Sequence, residues 1–463
     1  MRTNSIRYFI LVLALAVIFG SCSTSRHYQR GVVSTEKLYG DTVITDTATL
    51  AGKPWKELFT ESYLQKLIQE GLNNNPDLQV AIQKVVEAEA YFSQSKAALL
   101  PGISVSGKKN YTRNPETLYP SGPREVNYYQ LSADASWEID VWGKLRSSKR
   151  AAYASLLSTD AAKKAVQTRL ISNIASAYYA LLGLDAKLEI TRQTVKNNID
   201  LVETMKVLQG SGKVTGAAVV QSEAARYAAE VTIPDLEQQI REAENTLCLL
   251  LGRTPGHIER GKISEQTLSA LLKTGVPAQM LDNRPDVMQA EFSVMSAWEM
   301  TNNARSYFFP ALTLTASTGF AASDLSELLD PVAFAANVVG GLAQPLFSKR
   351  ANITRLKVAK AQQEEALLSF RNTLLKAGQE VHNALGSYDS SVKKTALRQQ
   401  QLNALIKSVD YTKELLTYGT ATYTEVLNAQ TSLLSAQLND VNDRLQQLNA
   451  MVTLYRALGG GWK

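Results

Sequence analysis

Gly210-Ser-Gly-Lys-Val-Thr-Gly216 is the stretch that comes nearest to a chemical motif. Its glycines and lysine suggest a loop that cradles phosphates. Such a loop opens on a leading glycine, and a Ser or Thr follows the lysine to hold a cation. Here no glycine stands at the leading position and Val214 follows Lys213. The stretch also follows a helical segment where a strand is needed, so it reads as a hairpin tip. The histidines His27, His257 and His382 are scattered and make no metal-ligand spacing. Cys248 lies in Leu247-Cys-Leu-Leu-Leu251 and reads as core packing. No Ser/His/Asp set or paired-carboxylate motif stands out. The chain does not read as an enzyme and implies no cofactor. The one residue placed for covalent chemistry is Cys22.

Cys22 closes a three-part export signal. Met1–Arg7 carries Arg2 and Arg7, Tyr8–Gly20 is a short apolar core, and Ser21-Cys22 follows at once. That core is too short for a membrane anchor. The Gly20-Ser21-Cys22 junction is similar to a bacterial lipobox, in which the cysteine is acylated on sulfur and becomes the mature N-terminus. Phe19 stands where a leucine is usual. Residues 1–21 are expected to be removed, and 22–54 to form a lipidated polar tether. Acyl chains would hold it with about 0.8 kcal/mol per buried CH₂. Ser23, rather than Asp, follows the cysteine, which in many lipoproteins favours sorting to the outer membrane. Removing residues 1–21 lowers the formal charge from +6 to +4, since Arg2 and Arg7 go with them. That is mild for 463 residues and leaves no footprint for nucleic acid. Two cysteines make no disulfide framework. No run reaches the ~18 apolar residues of a spanning helix, so a membrane crossing requires strands.

The elements downstream come twice. A helix with Leu64, Leu67, Ile68 and Leu72 on one face ends before Asn75-Pro76-Asp77, where another starts. After Leu99-Leu100-Pro101 the period changes to two, and strands are expected over about 103–113 and 126–142. In the second, Leu131, Ala133, Ala135, Trp137, Ile139 and Val141 alternate with Gln130, Ser132, Asp134, Ser136, Glu138 and Asp140. This is about the ~9–11 residues of a transmembrane strand. The line with Ser132, Asp134 and Ser136 should then tolerate polar changes. A helix of up to 64 residues, Leu145–Leu208, leads to a tip at Gly212, and a return helix runs to Leu251-Gly252.

A shift of 209 lays Asn283-Arg284-Pro285-Asp286 on Asn74-Asn75-Pro76-Asp77, and Pro310 on Pro101. A shift of 207 lays Gly419 on Gly212, Asn428 on Gln221 and Gly459 on Gly252. Repeat 1 thus spans 55–262, with its helical hairpin at 145–251. Repeat 2 spans 263–463, with strands at about 311–321 and 333–347 and its hairpin at 353–458. Within Ile353–Leu416, Leu367, Leu374, Val381, Tyr388, Leu402, Val409 and Leu416 hold one seven-residue register. Phe370, Ala377, Ala384 and Leu405 fill the other seam position, which implies left-handed supercoiling. Arg398 interrupts the seam. The fold class is mainly α, with four strands. Four are too few to close a barrel, and open edges in lipid cost several kcal/mol per unpaired group. Three copies would supply twelve.

Taken together, these residues resemble the TolC-like outer-membrane efflux channels, in the lipoprotein branch that serves RND-type multidrug pumps. The resemblance runs from Trp55 to Trp462. It rests on the two helix starts, Leu99-Leu-Pro101 and Phe308-Phe-Pro310, Trp137-Glu-Ile-Asp-Val-Trp-Gly-Lys-Leu-Arg146, Ile174-Ala-Ser-Ala-Tyr178, Val426-Leu-Asn-Ala-Gln430 and Leu454-Tyr-Arg-Ala-Leu-Gly-Gly-Gly-Trp462. It implies a homotrimer that shares a twelve-stranded membrane β-barrel and a periplasmic α-helical tube. It implies passage of drugs or other small molecules to the exterior. The implied partners are a periplasmic adaptor, an inner-membrane RND-type transporter and outer-membrane lipid, with no nucleic acid.

The resemblance also implies a periplasmic gate at the hairpin tips. Relatives carry a carboxylate where this chain has Asn428, and Thr424 and Thr431 replace residues that help close the gate in some members. Closure then rests on neutral contacts of Thr424, Asn428 and Thr431, or on Glu425 as a displaced carboxylate ring. The same architecture could serve protein secretion or metal-ion efflux. A periplasmic coiled-coil scaffold without a pore is the alternative of another class.

Overall fold

The structure is a computed structural model that describes residues 28–30, 52–117, 121, 123–266 and 280–463. The export signal, Cys22 and most of the tether lie outside the described residues. In chain order, α1 (Trp55–Leu58), α2 (Ser62–Asn74) and α3 (Pro76–Ala97) lead into strands β1 (Gly102–Arg113) and β2 (Glu125–Ile139). Helix α4 (Lys144–Gly210) runs 67 residues to the first tip, and α5 (Gly216–Glu230) and α6 (Thr232–Leu251) return. The second repeat holds α7 (Met280–Asn283), α8 (Pro285–Ser306), β3 (Ala311–Ala322) and β4 (Phe334–Ala343). It ends with α9 (Ala351–Thr417), again 67 residues, and α10 (Tyr423–Leu458).

Three expected boundaries are corrected. β2 stops at Ile139, not 142, because the Asp140 carboxylate accepts the amides of Leu145 and Arg146 and so caps α4. Gly143 makes the turn between them at φ 77. β4 covers 334–343 rather than 333–347, and Pro345 beyond it has no amide hydrogen for a ladder. The return helix of repeat 1 is divided at Val231. Pro234 lacks a donor and crowds the carbonyl four residues back, whereas Val441 at the equivalent place leaves α10 unbroken.

The chain packs as two compact units, and neither coincides with a repeat. Among the described residues, one takes 28–30, 84–159 and 289–371; the other takes 52–83, 160–288 and 372–463. The first holds one antiparallel sheet in the order β1-β2-β3-β4. The register puts Ile103, Ala135, Ala316 and Val338 in one cross-strand row, and Trp137 beside Leu314. One residue along, Ser104, Asp134, Ser317 and Asn337 form a row on the opposite face. Next to the sheet, α8 packs on the first turns of α4 through small and polar groups. Arg150 pairs with buried Glu299 at 2.8 Å, and the Asn303 amide donates to the Lys144 carbonyl at 3.0 Å.

The second unit keeps the duplication in atomic detail. Asn75 donates to the Leu250 carbonyl at 2.9 Å, and its counterpart Arg284 donates to the counterpart carbonyl, Ala457, at 2.8 Å. Gly252 (φ 70) and Gly459 (φ 90) end the return helices against the backbones of Asn74 and Asn283. A Cβ at either glycine would stand 2.5 or 2.4 Å from a carbonyl oxygen, so both are bound to glycine twice over. On the seam of α9, Leu374, Ala377, Val381, Ala384, Leu402, Val409 and Leu416 are buried. Arg398 interrupts it because Asp443 of α10 stands opposite, with Nε donating to Oδ2 at 2.8 Å.

Candidate functional site

Both tips close by the same local rule. Gly212 (φ 71) and Gly419 (φ 74) are left-handed, and in each the following amide reaches back to an earlier carbonyl. Lys213 donates to Leu208 and Thr420 to Leu415, which satisfies helix-end acceptors that would otherwise be orphaned. The phosphate-loop likeness ends here, since Val214 packs into an apolar cluster. That cluster joins the two tips. Leu201, Met205, Ala218 and Val219 of the first hairpin meet Leu416 and Val426 of the second, with Leu208, Tyr423 and Leu427 at its margin.

The four residues expected to form the gate sit on the first turns of α10. Thr424, Glu425, Asn428 and Thr431 are all exposed in the single chain, while Val426 and Ala429 turn into the core. Asn428 lies four residues after Thr424 and three before Thr431, so these three share one stripe. Glu425 has a local task. Its carboxylate accepts the Thr422 amide at 2.6 Å, and its own amide donates to the Thr422 hydroxyl at 3.4 Å. This capping box satisfies two free amides at the helix start.

Sequence reasoning named Gln430 only as part of a motif. Its side-chain amide is shielded from solvent, and neither its oxygen nor its nitrogen has a hydrogen-bond partner among the described residues. It lines a cavity of about 320 Å³ that Gln193, Asn197 and Lys413 also border. A buried amide flanked by polar groups is a place for ordered water. The signal was the glutamine itself, one position beyond the apolar stripe.

Farther along α10 the seam carries charge. Asp440 stands near Asp443, and burial and that neighbour raise its pKa. Elsewhere in the same unit, Arg260 bridges Asp185 and Glu244. Burial pushes Glu244 up, but Arg260, the Ile258 amide and His257 together hold it below the usual glutamate value. Cys248 is fully buried, its thiol 3.5 Å from the Gly256 carbonyl. In the sheet, Asp134 accepts from Ser317 at 2.6 Å and Ser132 at 2.9 Å, so one carboxylate ties β2 to β3.

The sequence profile described as "Outer membrane efflux protein" matches residues 67–253 and 276–460. The chain is 29% identical over 467 residues to the cation efflux system protein CusC of Escherichia coli O6:H1 (strain CFT073), covering 98% of this chain and 99% of that protein. It is 28% identical over 472 residues to the solvent efflux pump outer membrane protein SrpC of Pseudomonas putida, covering 100% and 99%. A crystal structure of CusC matches with a TM-score of 0.86 at 27% identity, over 95% of this chain and 100% of that one.

Proposed function

This chain belongs to the outer membrane efflux protein family, and from that premise we propose how its parts act as an exit channel. The protein is the outer-membrane channel of a tripartite efflux system. Three copies share a twelve-stranded barrel and a helical tube on the periplasmic side. The observation that carries the reading is the four-stranded sheet. Among the described residues its edges β1 and β4 are unpaired, and one face exposes Ile103, Val105, Val338 and Leu342. An apolar face with open edges is unstable in water and in lipid until neighbours pair it.

Acylation of Cys22 holds each copy to the membrane, in addition to the barrel. A periplasmic adaptor and an RND-type inner-membrane transporter supply the cargo. CusC is named for cation efflux and SrpC for solvent efflux, at nearly the same identity to this chain. That supports a conduit whose cargo, drugs or other small molecules, is selected by the pump. The gate is neutral, closed by packing and by uncharged hydrogen bonds from Thr424, Asn428 and Thr431. The engagement of Glu425 in its helix cap favours this over a displaced carboxylate ring.

Purified protein should run as a heat-modifiable trimer and give single-channel conductance in planar bilayers. A scaffold without a pore would give neither. Mass spectrometry of the mature N-terminal peptide should find a lipid-modified cysteine, and an unmodified Cys22 would remove the anchor from this reading.

A further inference from the structure

A short piece of the tether, Tyr28-Gln29-Arg30, lies along α8. The Arg30 guanidinium grips the Glu291 carboxylate with both arms, Nε to Oε1 at 2.5 Å and a terminal nitrogen to Oε2 at 2.6 Å. Glu291 is only 4% exposed, so Arg30 neutralises a charge that water barely reaches. The Tyr28 ring meets Trp298 edge to face, with centroids 6.2 Å apart. Glu291 and Trp298 are seven residues apart, two turns on one helix face. The tether therefore runs antiparallel to α8, and its N-terminal side points toward the helix end that leads into β3.

We propose that Tyr28 and Arg30 form a clasp on α8 that fixes where the tether leaves the protein and directs Cys22 to the strand end of this helix. From Trp298 to the last residue of α8, Ser306, the helix rises about 12 Å. The six residues from Cys22 to Tyr28 reach at most about 20 Å. That reach covers the distance to the end of α8 and confines an anchor on Cys22 to within about 20 Å of the clasp. Without it, the next described attachment is the Lys53 carbonyl, which accepts from the Tyr455 hydroxyl at 2.8 Å. The free leash from Cys22 to Lys53 would then reach about 100 Å and no longer set the position of an anchor. This consequence rests on the acylation of Cys22; the clasp does not.

The test uses the full chain with a nitroxide on Gln29→Cys. Cys248 is buried and an acylated Cys22 has no thiol, so the parent without Gln29→Cys should take no label. Label on that parent would tell against acylation and leave the clasp standing. The nitroxide should be restricted in the otherwise unmodified chain. It should move several-fold faster in Arg30→Glu and in Glu291→Arg, and become restricted again when the two are combined. Where Glu291→Arg fails to assemble, Tyr28→Ala with Arg30→Glu serves as the disrupted state and Arg30→Lys as partial rescue. Equal mobility in the parent and the disrupted variants would overturn the clasp, as would a charge-swapped or Arg30→Lys chain no more restricted than Arg30→Glu.

Discussion

At the scale of single residues, polar groups are decided by what stands next to them. Glu425 and Asn428 are both exposed on one helix, yet only Glu425 is engaged at the cap. Glu425→Gln should therefore cost at most about 1 kcal/mol of helix stability and leave cation sensitivity unchanged. Asn428→Asp should create a block by trivalent cations added from the periplasmic side, because three crowded carboxylates bind such ions. Tight block of the unmodified channel that vanishes in Glu425→Gln would reverse the assignment. Glu244 predicts an acid response. Its folded pKa lies below the unfolded 4.5, so its contribution is present above about pH 4.5 and is lost as pH falls through the folded value. Asp440 has the opposite sign: its raised folded pKa removes stability as pH rises from 3.8 through that value. In thermal melts against pH, Glu244→Gln should lower the neutral-pH midpoint and flatten the acid limb. Asp440→Asn should raise the neutral-pH midpoint.

At the scale of elements, ends matter more than middles. The long helices α4 and α9 need only apolar spacing to form, whereas the return helices α6 and α10 are fixed at their ends, where Gly252 and Gly459 close on the backbones of Asn74 and Asn283. Gly459→Ala would combine a φ of 90 with a Cβ 2.4 Å from the Asn283 oxygen. That should cost at least ~1–3 kcal/mol and depress the melting of the assembled protein. Gly386→Ala is the contrasting case, since nothing lies within 4 Å of its Cβ and the position is helical. It should be neutral or stabilising by roughly 0.5–1 kcal/mol. The two faces of the sheet should differ in the same way. Ala135→Arg, in the row with Ile103 and Val338, should cost ~2–4 kcal/mol near the bilayer midplane and reduce the yield of heat-modifiable trimer. Ser136→Asn on the other face should assemble normally. Asp134 is a qualification on that face: removing it leaves Ser317 and Ser132 without their shared acceptor.

At the scale of the whole molecule, the sequence by itself determined the class of element, the duplication and the need for partner copies. Hydrophobic period is a local property, so the alternation through Trp137 and the seven-residue register through Val409 were legible without coordinates. So was the deficit of strands, because backbone hydrogen bonding is a counting rule. Ends were not legible where a side chain chose between two partners. Asp140 continues the alternation of a strand, and only the nearby start of α4 makes it a cap. Pro234 carries its break in its own identity, since it has no amide hydrogen to donate. Arg398 does not carry its pairing so, because its partner Asp443 lies 45 residues away and nothing in the local pattern links them. The same holds for the clasp of Arg30 on Glu291, 261 residues apart. Tertiary structure alone decided these pairings, since a charge is free to meet any opposite charge until packing removes the water between them.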